Sequence, residues 1–210
     1  MRYYIETDGR VFLVERDGVL DLPSEGEIPF PIEEIAPLAT SIPAIFAVPQ
    51  LPRFPRDWPG KDDLASLPHV SPIVREAVHA SMPRVVVEGI ALADGMVLLV
   101  KASRGLTEGR WSLPGGFLRY GESPSDGLIR EVGEELGVQA KPEGLIGVKA
   151  KLGEESHLHW IMLFYRIAID GEPHPDPDEI AEARFFPIEQ AQNLICDSLM
   201  RTVVASLISR

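Results

Sequence analysis

Apolar and polar residues alternate with a period that changes along the chain, and each change marks an element. Residues 3–21 hold short apolar clusters interrupted by Asp8-Gly9 and Asp17-Gly18. Such pairs accept the positive φ of tight hairpin turns, so two or three short strands are predicted. Residues 22–60 are dense in proline with apolar residues interleaved, as in Ile42-Pro43-Ala44-Ile45-Phe46-Ala47-Val48, which implies extended chain packed over a neighbour. Phe54 and Trp58 read either as the lining of a ligand groove or as packing. Ser71-Pro72 opens a helix to about Met82, with Ile73, Val74, Ala77 and Val78 inward and Pro83 ending it. Residues 85–91 and 96–101, joined through Asp94-Gly95, are almost continuously apolar and predict a strand pair in a sheet covered on both faces. Residues 145–152 and 159–169 predict an antiparallel pair around Gly153-Glu154-Glu155-Ser156. In residues 187–209, Ile195, Leu199, Val203 and Leu207 recur every fourth position, a stripe suited to a helix packed on the sheet.

One segment carries more than fold information. Ser123-Pro124-Ser125-Asp126 has the form of a capping box with proline at the first helical position, and Gly137 stands where a C-terminal glycine stops a helix. Leu128, Ile129, Val132 and Leu136 supply the apolar stripe of that helix. Glu131, Glu134 and Glu135 stand at i, i+3 and i+4, on one side of a helix of ~3.6 residues per turn. Like charges at this spacing cost roughly 0.2–0.5 kcal/mol per pair. The last two glutamates also face the negative end of the helix dipole. A hard divalent cation offsets such a cost, because Mg2+ takes oxygen ligands and is commonly shared between carboxylates and phosphates. The alternative is a solvated acidic face with Arg130 paired to Glu134. Ahead of the helix, Trp111-Ser112-Leu113-Pro114-Gly115-Gly116 reads as a strand end running into a glycine loop that can present its backbone to a metal or phosphate.

Composition narrows the field. A chain of 210 residues, 45% hydrophobic and 25% charged, is ordinary globular material with room for one core and a smaller second unit. Its net charge of -12 argues against a nucleic-acid surface, which draws on clustered lysine and arginine. Cys196 stands alone, excluding an intrachain disulfide and a cysteine-based zinc ribbon. Glu6 and Asp8 fall where a signal peptide is apolar, and no run reaches membrane-spanning length, so a cytoplasmic location without membrane attachment is the expectation.

The spacing G-x5-E-x7-R-E-U-x-E-E-x-G-U, with U apolar, is filled by Gly116, Glu122, Arg130, Glu131, Val132, Glu134, Glu135, Gly137 and Val138. This pattern resembles the signature of the Nudix hydrolases, and the preceding L-P-G-G resembles that family as well. Gly127, often alanine in relatives, and Gly133 each cost the helix up to ~1 kcal/mol without removing a charge. The resemblance implies an α/β fold, an α/β/α sandwich around a mixed sheet, here preceded by a small hairpin-rich unit. The expected organisation is residues 1–70 as that unit, 71–84 as a connecting helix and 85–210 as the Nudix domain. It implies hydrolysis of a nucleoside diphosphate linked to another group, with Mg2+ or Mn2+ as cofactor and a small nucleotide-derived substrate as partner.

By the same resemblance, Glu134 and Glu135 are the main metal ligands and Glu131 is a ligand or the base. The Gly115 carbonyl adds an oxygen, and Glu179 and Glu182 of the acidic run Asp176-Pro177-Asp178-Glu179-Ile180-Ala181-Glu182 are candidates for a further ligand or base. Arg130 orients the glutamates, with Glu122 as its expected intermediary, and Arg110, Trp111, Phe117 and Glu122 are the candidates on the substrate side. His157 and His159, two apart, form a candidate ligand pair if they share a strand face. ADP-ribose or a nucleoside-diphosphate sugar is the favoured substrate class. A NADH-type dinucleotide pyrophosphatase without a zinc ribbon and a non-catalytic nucleotide sensor are the alternatives. A homodimer and a monomer are equally compatible with the sequence.

Overall fold

The computed structural model describes residues 1–105, 107–153 and 156–207. The chain divides into two compact units, Met1–Arg84 with Lys151–Trp160, and Val85–Ala150 with Ile161–Arg210.

In the first unit, β1 (Arg2–Thr7) turns through Asp8 and Gly9, at φ 46° and 73°, into β2 (Arg10–Phe12). Asp17 and Gly18, at φ 52° and 78°, join β3 (Val14–Arg16) to β4 (Val19–Asp21) in the same way. The two central residues with positive φ give the turn twist that antiparallel strands need. The proline-dense stretch is extended, as its pattern predicts. It contains β5 (Ile32–Leu38) and β6 (Ala44–Pro49), in a sheet of order β2-β1-β6-β5 whose β1–β6 pair is parallel. Trp58 packs at 5.2 Å from Phe12 and 5.4 Å from Phe30, so it is a packing residue, while Phe54 is exposed. After the single turn of α1 (Lys61–Leu64), helix α2 (Pro72–Ser81) buries Ile73, Val74, Ala77 and Val78 against Tyr4, Val11, Leu22 and Leu64. His157 lies in a turn at φ 53°, outside the strand that begins at His159, so the two imidazoles do not share a strand face. Both line an apolar groove with Leu38, Phe46 and Leu152. Glu154 and Glu155, expected in the turn, lie outside the described residues.

The second unit is built on a seven-stranded sheet. Its strands are β7 (Arg84–Ala93), β8 (Met96–Ala102), β9 (Trp111–Ser112), β10 (Gly115–Phe117), β11 (Gln139–Leu152), β12 (His159–Asp170) and β13 (Ile180–Pro187). The order is β11-β12-β7-β8-β13, with β10 paired to β7 and β9 to β8. Leu98 and Val100 join one cluster with Val87 and with Leu128, Val132 and Leu136 of α3 (Pro124–Leu136). Val97 and Leu99 are equally buried and, by alternation, point to the other face. That explains why β7 and β8 read as continuous apolar runs.

The C-terminal stripe is broken where the sequence predicts one helix. Helices α4 (Ile188–Leu194) and α5 (Ser198–Ala205) are separated at Asp197, whose carboxylate caps the N–H groups of Leu199 and Met200. Ile195 and Val203 are buried as expected, whereas Leu199 is only half-buried. Among the described residues no helix is long and apolar enough to cross a membrane.

Candidate active site

Helix α3 sets the geometry. Ser123 caps it by accepting from Asp126 N at 3.2 Å, Pro124 occupies the first turn, and Gly137 closes it at φ 63°. At about 100° per residue, Glu135 lies only about 20° from the direction of Leu128, while Glu131 and Glu134 fall progressively farther from the apolar stripe. The three glutamates therefore sit at three depths. The Glu135 carboxyl is buried, Glu131 keeps 16% of its side-chain surface and Glu134 keeps 43%. Ile129, expected in the stripe, is 40% exposed.

The glycine loop supplies the opposing wall. Gly115 has φ 146°, and a Cβ there would stand 2.0 Å from the Val87 carbonyl oxygen, so no other residue fits. Its N–H donates to Glu135 Oε2 at 3.0 Å. A Cβ on Gly116 would lie 2.7 Å from the Glu131 carboxyl group, so the absent side chain leaves that carboxylate its place. Gly127 likewise admits Leu118 and Glu122 against the helix, since a Cβ there would meet them at 2.4 and 3.0 Å. The helix propensity lost at Gly127 is offset by a close approach of the loop.

Arg130 ties loop to helix. Its Nε donates to Glu122 Oε1 at 2.8 Å, and its Nη2 donates to Glu122 Oε2 and the Phe117 carbonyl, both at 2.9 Å. Its Nη1 reaches Glu131 at 2.7 Å and Glu134 at 2.9 Å. The Arg130 guanidinium and the Arg119 N–H hold the Glu122 carboxyl down to about 2. Both Glu122 oxygens are thus bonded between the loop and the helix.

The acidic run reaches the site because the C-terminal carbonyls of α3 recruit it. His174 N donates to Leu136 O at 2.7 Å and Asp176 N to Glu135 O at 3.0 Å. Glu179 then lies close enough for its charge to raise both Glu131 and Glu135. It pairs with Arg104, and its carbonyl accepts from Ser103 N at 2.8 Å. Glu182 has different partners. The register of β13 against β8 shifts between Ile180 and Glu182, and the Glu182 carboxylate pairs with Lys101 at 3.1 Å and Arg184 at 3.3 Å.

Burial is the main cause that pushes the Glu135 carboxyl up to about 8; the Gly115 N–H opposes it, and the charges of Glu131, Glu179 and Glu134 reinforce it. Burial also raises Glu131 against the opposing Arg130. Several carboxylates raising one another, one of them deep beside a backbone turn, form an all-oxygen donor set whose chemistry fits a hard divalent cation. As they stand, Glu131, Glu134 and Glu179 are turned onto guanidinium groups, and Glu135 onto the Gly115 N–H. Among the described residues no group of three Asp, Glu, His or Cys is arranged to hold a metal ion.

The remaining substrate-side candidates differ from one another. Phe117 is 53% exposed beside Gly116, and Arg110 is exposed. Trp111 is half-buried, edge-on to Phe186 at 4.9 Å and beneath Lys101 Nζ at 5.9 Å, so much of its ring is spent on packing. Three residues escaped the sequence reading. Arg119 donates to Glu134 Oε1 at 2.9 Å, Arg104 pairs with Glu179, and Glu88 is buried in register with Gly115. The position of Arg119 inside the G-x5-E loop was the one available signal.

The arrangement is a cluster of carboxylates beside a glycine turn and a mixed sheet, and the NUDIX domain model matches residues 82–206. The chain belongs to the Nudix hydrolase family. It is 31% identical over 115 residues to an ADP-ribose pyrophosphatase of Methanocaldococcus jannaschii, covering 55% of this chain and 68% of that protein. A second relative, a NAD-capped RNA hydrolase NudC of Pseudomonas putida, is 34% identical over 127 residues, or 60% of this chain and 40% of that one. Among solved structures, a MutT NUDIX hydrolase from Burkholderia pseudomallei aligns with TM-score 0.53 and 27% identity over 60% of this chain and 98% of its own.

Proposed function

We propose that this Nudix hydrolase cleaves the diphosphate of ADP-ribose or a related nucleoside-diphosphate sugar, with Mg2+ or Mn2+ as cofactor. The observation that carries the reading is the buried Glu135, set between the Gly115 turn and the charges of Glu131 and Glu179. The ADP-ribose pyrophosphatase among the relatives supports the substrate class.

In this reading Glu134, Glu135 and the Gly115 carbonyl would hold the cation, Glu131 would be a further ligand or the base, and Glu179 would add a carboxylate. When bound there, the cation would supply the charge that neutralises phosphate oxygens and acidifies a water. Arg130 acts as a positioning residue that fixes the Phe117–Glu122 loop to the helix. Glu131 or Glu179 takes the proton of the attacking water. The new bond joins water oxygen to phosphorus, the bridging P–O bond breaks, and ADP-ribose yields AMP and ribose 5-phosphate.

A dinucleotide pyrophosphatase is the second reading, favoured by the longer match to the NAD-capped RNA hydrolase. A pure nucleotide sensor has no use for carboxylates that repel one another. Incubating the protein with ADP-ribose, NADH, sugar nucleotides and nucleoside triphosphates, with Mg2+ or Mn2+ and products identified by mass, separates the three. AMP with ribose 5-phosphate is the expected result, AMP with a nicotinamide mononucleotide favours the second reading, and tight binding without cleavage contradicts both.

A further inference from the structure

The Nudix signature from Gly116 to Val138 contains two arginines that touch Glu134, and they are held very differently. Every donor nitrogen of Arg130 is engaged, and its side chain keeps only 15% of its surface. Arg119 donates from Nη2 to Glu134 Oε1 at 2.9 Å, and its side chain is 63% exposed. Its backbone, in contrast, is pinned. Arg119 N donates to Glu122 Oε2 at 2.9 Å, Arg119 O accepts from Glu122 N at 3.1 Å, and the neighbouring Leu118 N donates to Val85 O at 3.3 Å. A fixed root with an exposed guanidinium is the construction of an arm that can swing.

We propose that Arg119 is a phosphate-binding residue of this enzyme, stowed on Glu134 until a divalent cation takes that carboxylate. The inference rests on the hydrolase reading above. Without metal, Glu134 stands near Glu131 and Glu135, and the Arg119 guanidinium compensates its charge. Once the carboxylate turns to a cation, the guanidinium loses its partner at the edge of the site where a diphosphate must lie. Arginine presents paired N–H donors that match phosphate oxygens. The exchange is inexpensive, because an exposed, solvent-screened ion pair contributes little to stability. Arg130 is unsuited to this part, since moving it would release Glu122 and the Phe117 carbonyl and undo the loop.

Two readouts on the full chain test it, with Arg119→Ala and Arg119→Lys beside the wild type. The first is Mn2+ affinity without nucleotide, followed by the electron paramagnetic resonance signal of free Mn2+. The second is KM and kcat for ADP-ribose with Mg2+. Removing the stowed cation makes Arg119→Ala bind Mn2+ about two- to fivefold more tightly, the range of an exposed ion pair. Losing the phosphate contact raises its KM about tenfold or more, with a smaller change in kcat. Arg119→Lys recovers part of the KM. Tighter Mn2+ binding with unchanged KM overturns the phosphate role, and raised KM with unchanged Mn2+ affinity overturns the stowing. A wild type that binds Mn2+ and cleaves ADP-ribose while Arg119→Ala alters neither sinks this inference alone. A wild type that cleaves no diphosphate sinks the hydrolase reading and this inference together.

Discussion

In the first unit Asp21 accepts from Ser71 Oγ at 2.7 Å and Leu22 N at 2.9 Å, pairs with Arg16, and has Arg2 at 3.7 Å. Burial works against its charge, but these partners outweigh burial and hold its carboxyl below the usual range. Glu27, bonded by Ser24 and Arg16, is held down to about 2. In the second unit Glu135 has a single backbone donor and like-charged neighbours, and its carboxyl is pushed up to about 8. A carboxylate that serves architecture is surrounded by donors. One that is kept buried among other carboxylates lowers the stability of the unliganded fold and calls for a cation from outside.

The sharpest break of this contrast is Glu135→Gln, which keeps shape and removes charge. It is expected to lower metal-dependent turnover on the order of a thousandfold, as loss of a major electrostatic contact in a site does. Circular dichroism and the urea midpoint should show the fold intact. Turnover within a few-fold of wild type would assign the chemistry elsewhere. Next in size is Gly115→Ala, where a disallowed φ and a contact with the Val87 carbonyl combine. A loss of about 3 kcal/mol or more in urea unfolding is expected, and an unchanged midpoint would mean the turn relaxes freely.

The two regions also predict opposite pH slopes. Folded-state values of Asp21 and Glu27 lie below their unfolded values, so their stabilisation is present above about pH 4.5 and is lost as pH falls through the folded values. Glu135 is raised, so its contribution to the metal-free protein is present below about pH 4.5 and is lost as pH rises towards 8, at no more than about 1.4 kcal/mol per pH unit. Carboxyl carbon-13 titrations resolve the groups individually, and Glu135→Gln should flatten the urea midpoint between pH 5 and 8. Glu135 titrating below its model-peptide range would remove the contrast. The smallest effect is expected for Glu182→Gln, within about 0.5 kcal/mol of stability and about twofold of activity, because its partners Lys101 and Arg184 are solvent-accessible. A large loss of turnover would restore Glu182 to the site.

Local signals were the legible ones. The Asp-Gly turns, the Ser123 cap, the Gly137 stop and the glutamate spacing each depend on a few adjacent residues, and all can be read without knowing what packs where. Tertiary choices were hidden. Glu179 and Glu182 look alike in sequence, and the shift of register between Ile180 and Glu182 separates their environments. Asp197 breaks the last helix by capping α5, which a four-residue apolar repeat does not reveal. Equally hidden were the depth ordering of the three glutamates, which depends on how α3 is rolled against the sheet, and the Arg119–Glu134 pair, which needs the loop folded back on the helix.

The account stands on a cation being held by Glu131, Glu134 and Glu135 beside the Gly115 turn. Crystals soaked in Mn2+ and measured at the manganese absorption edge test this directly. An anomalous peak bounded by those carboxylates, with Arg119 turned away from Glu134, is the predicted result. Glu131 and Glu134 still paired to Arg130 and Arg119, with no peak beside them and Glu135 at saturating Mn2+, would contradict it.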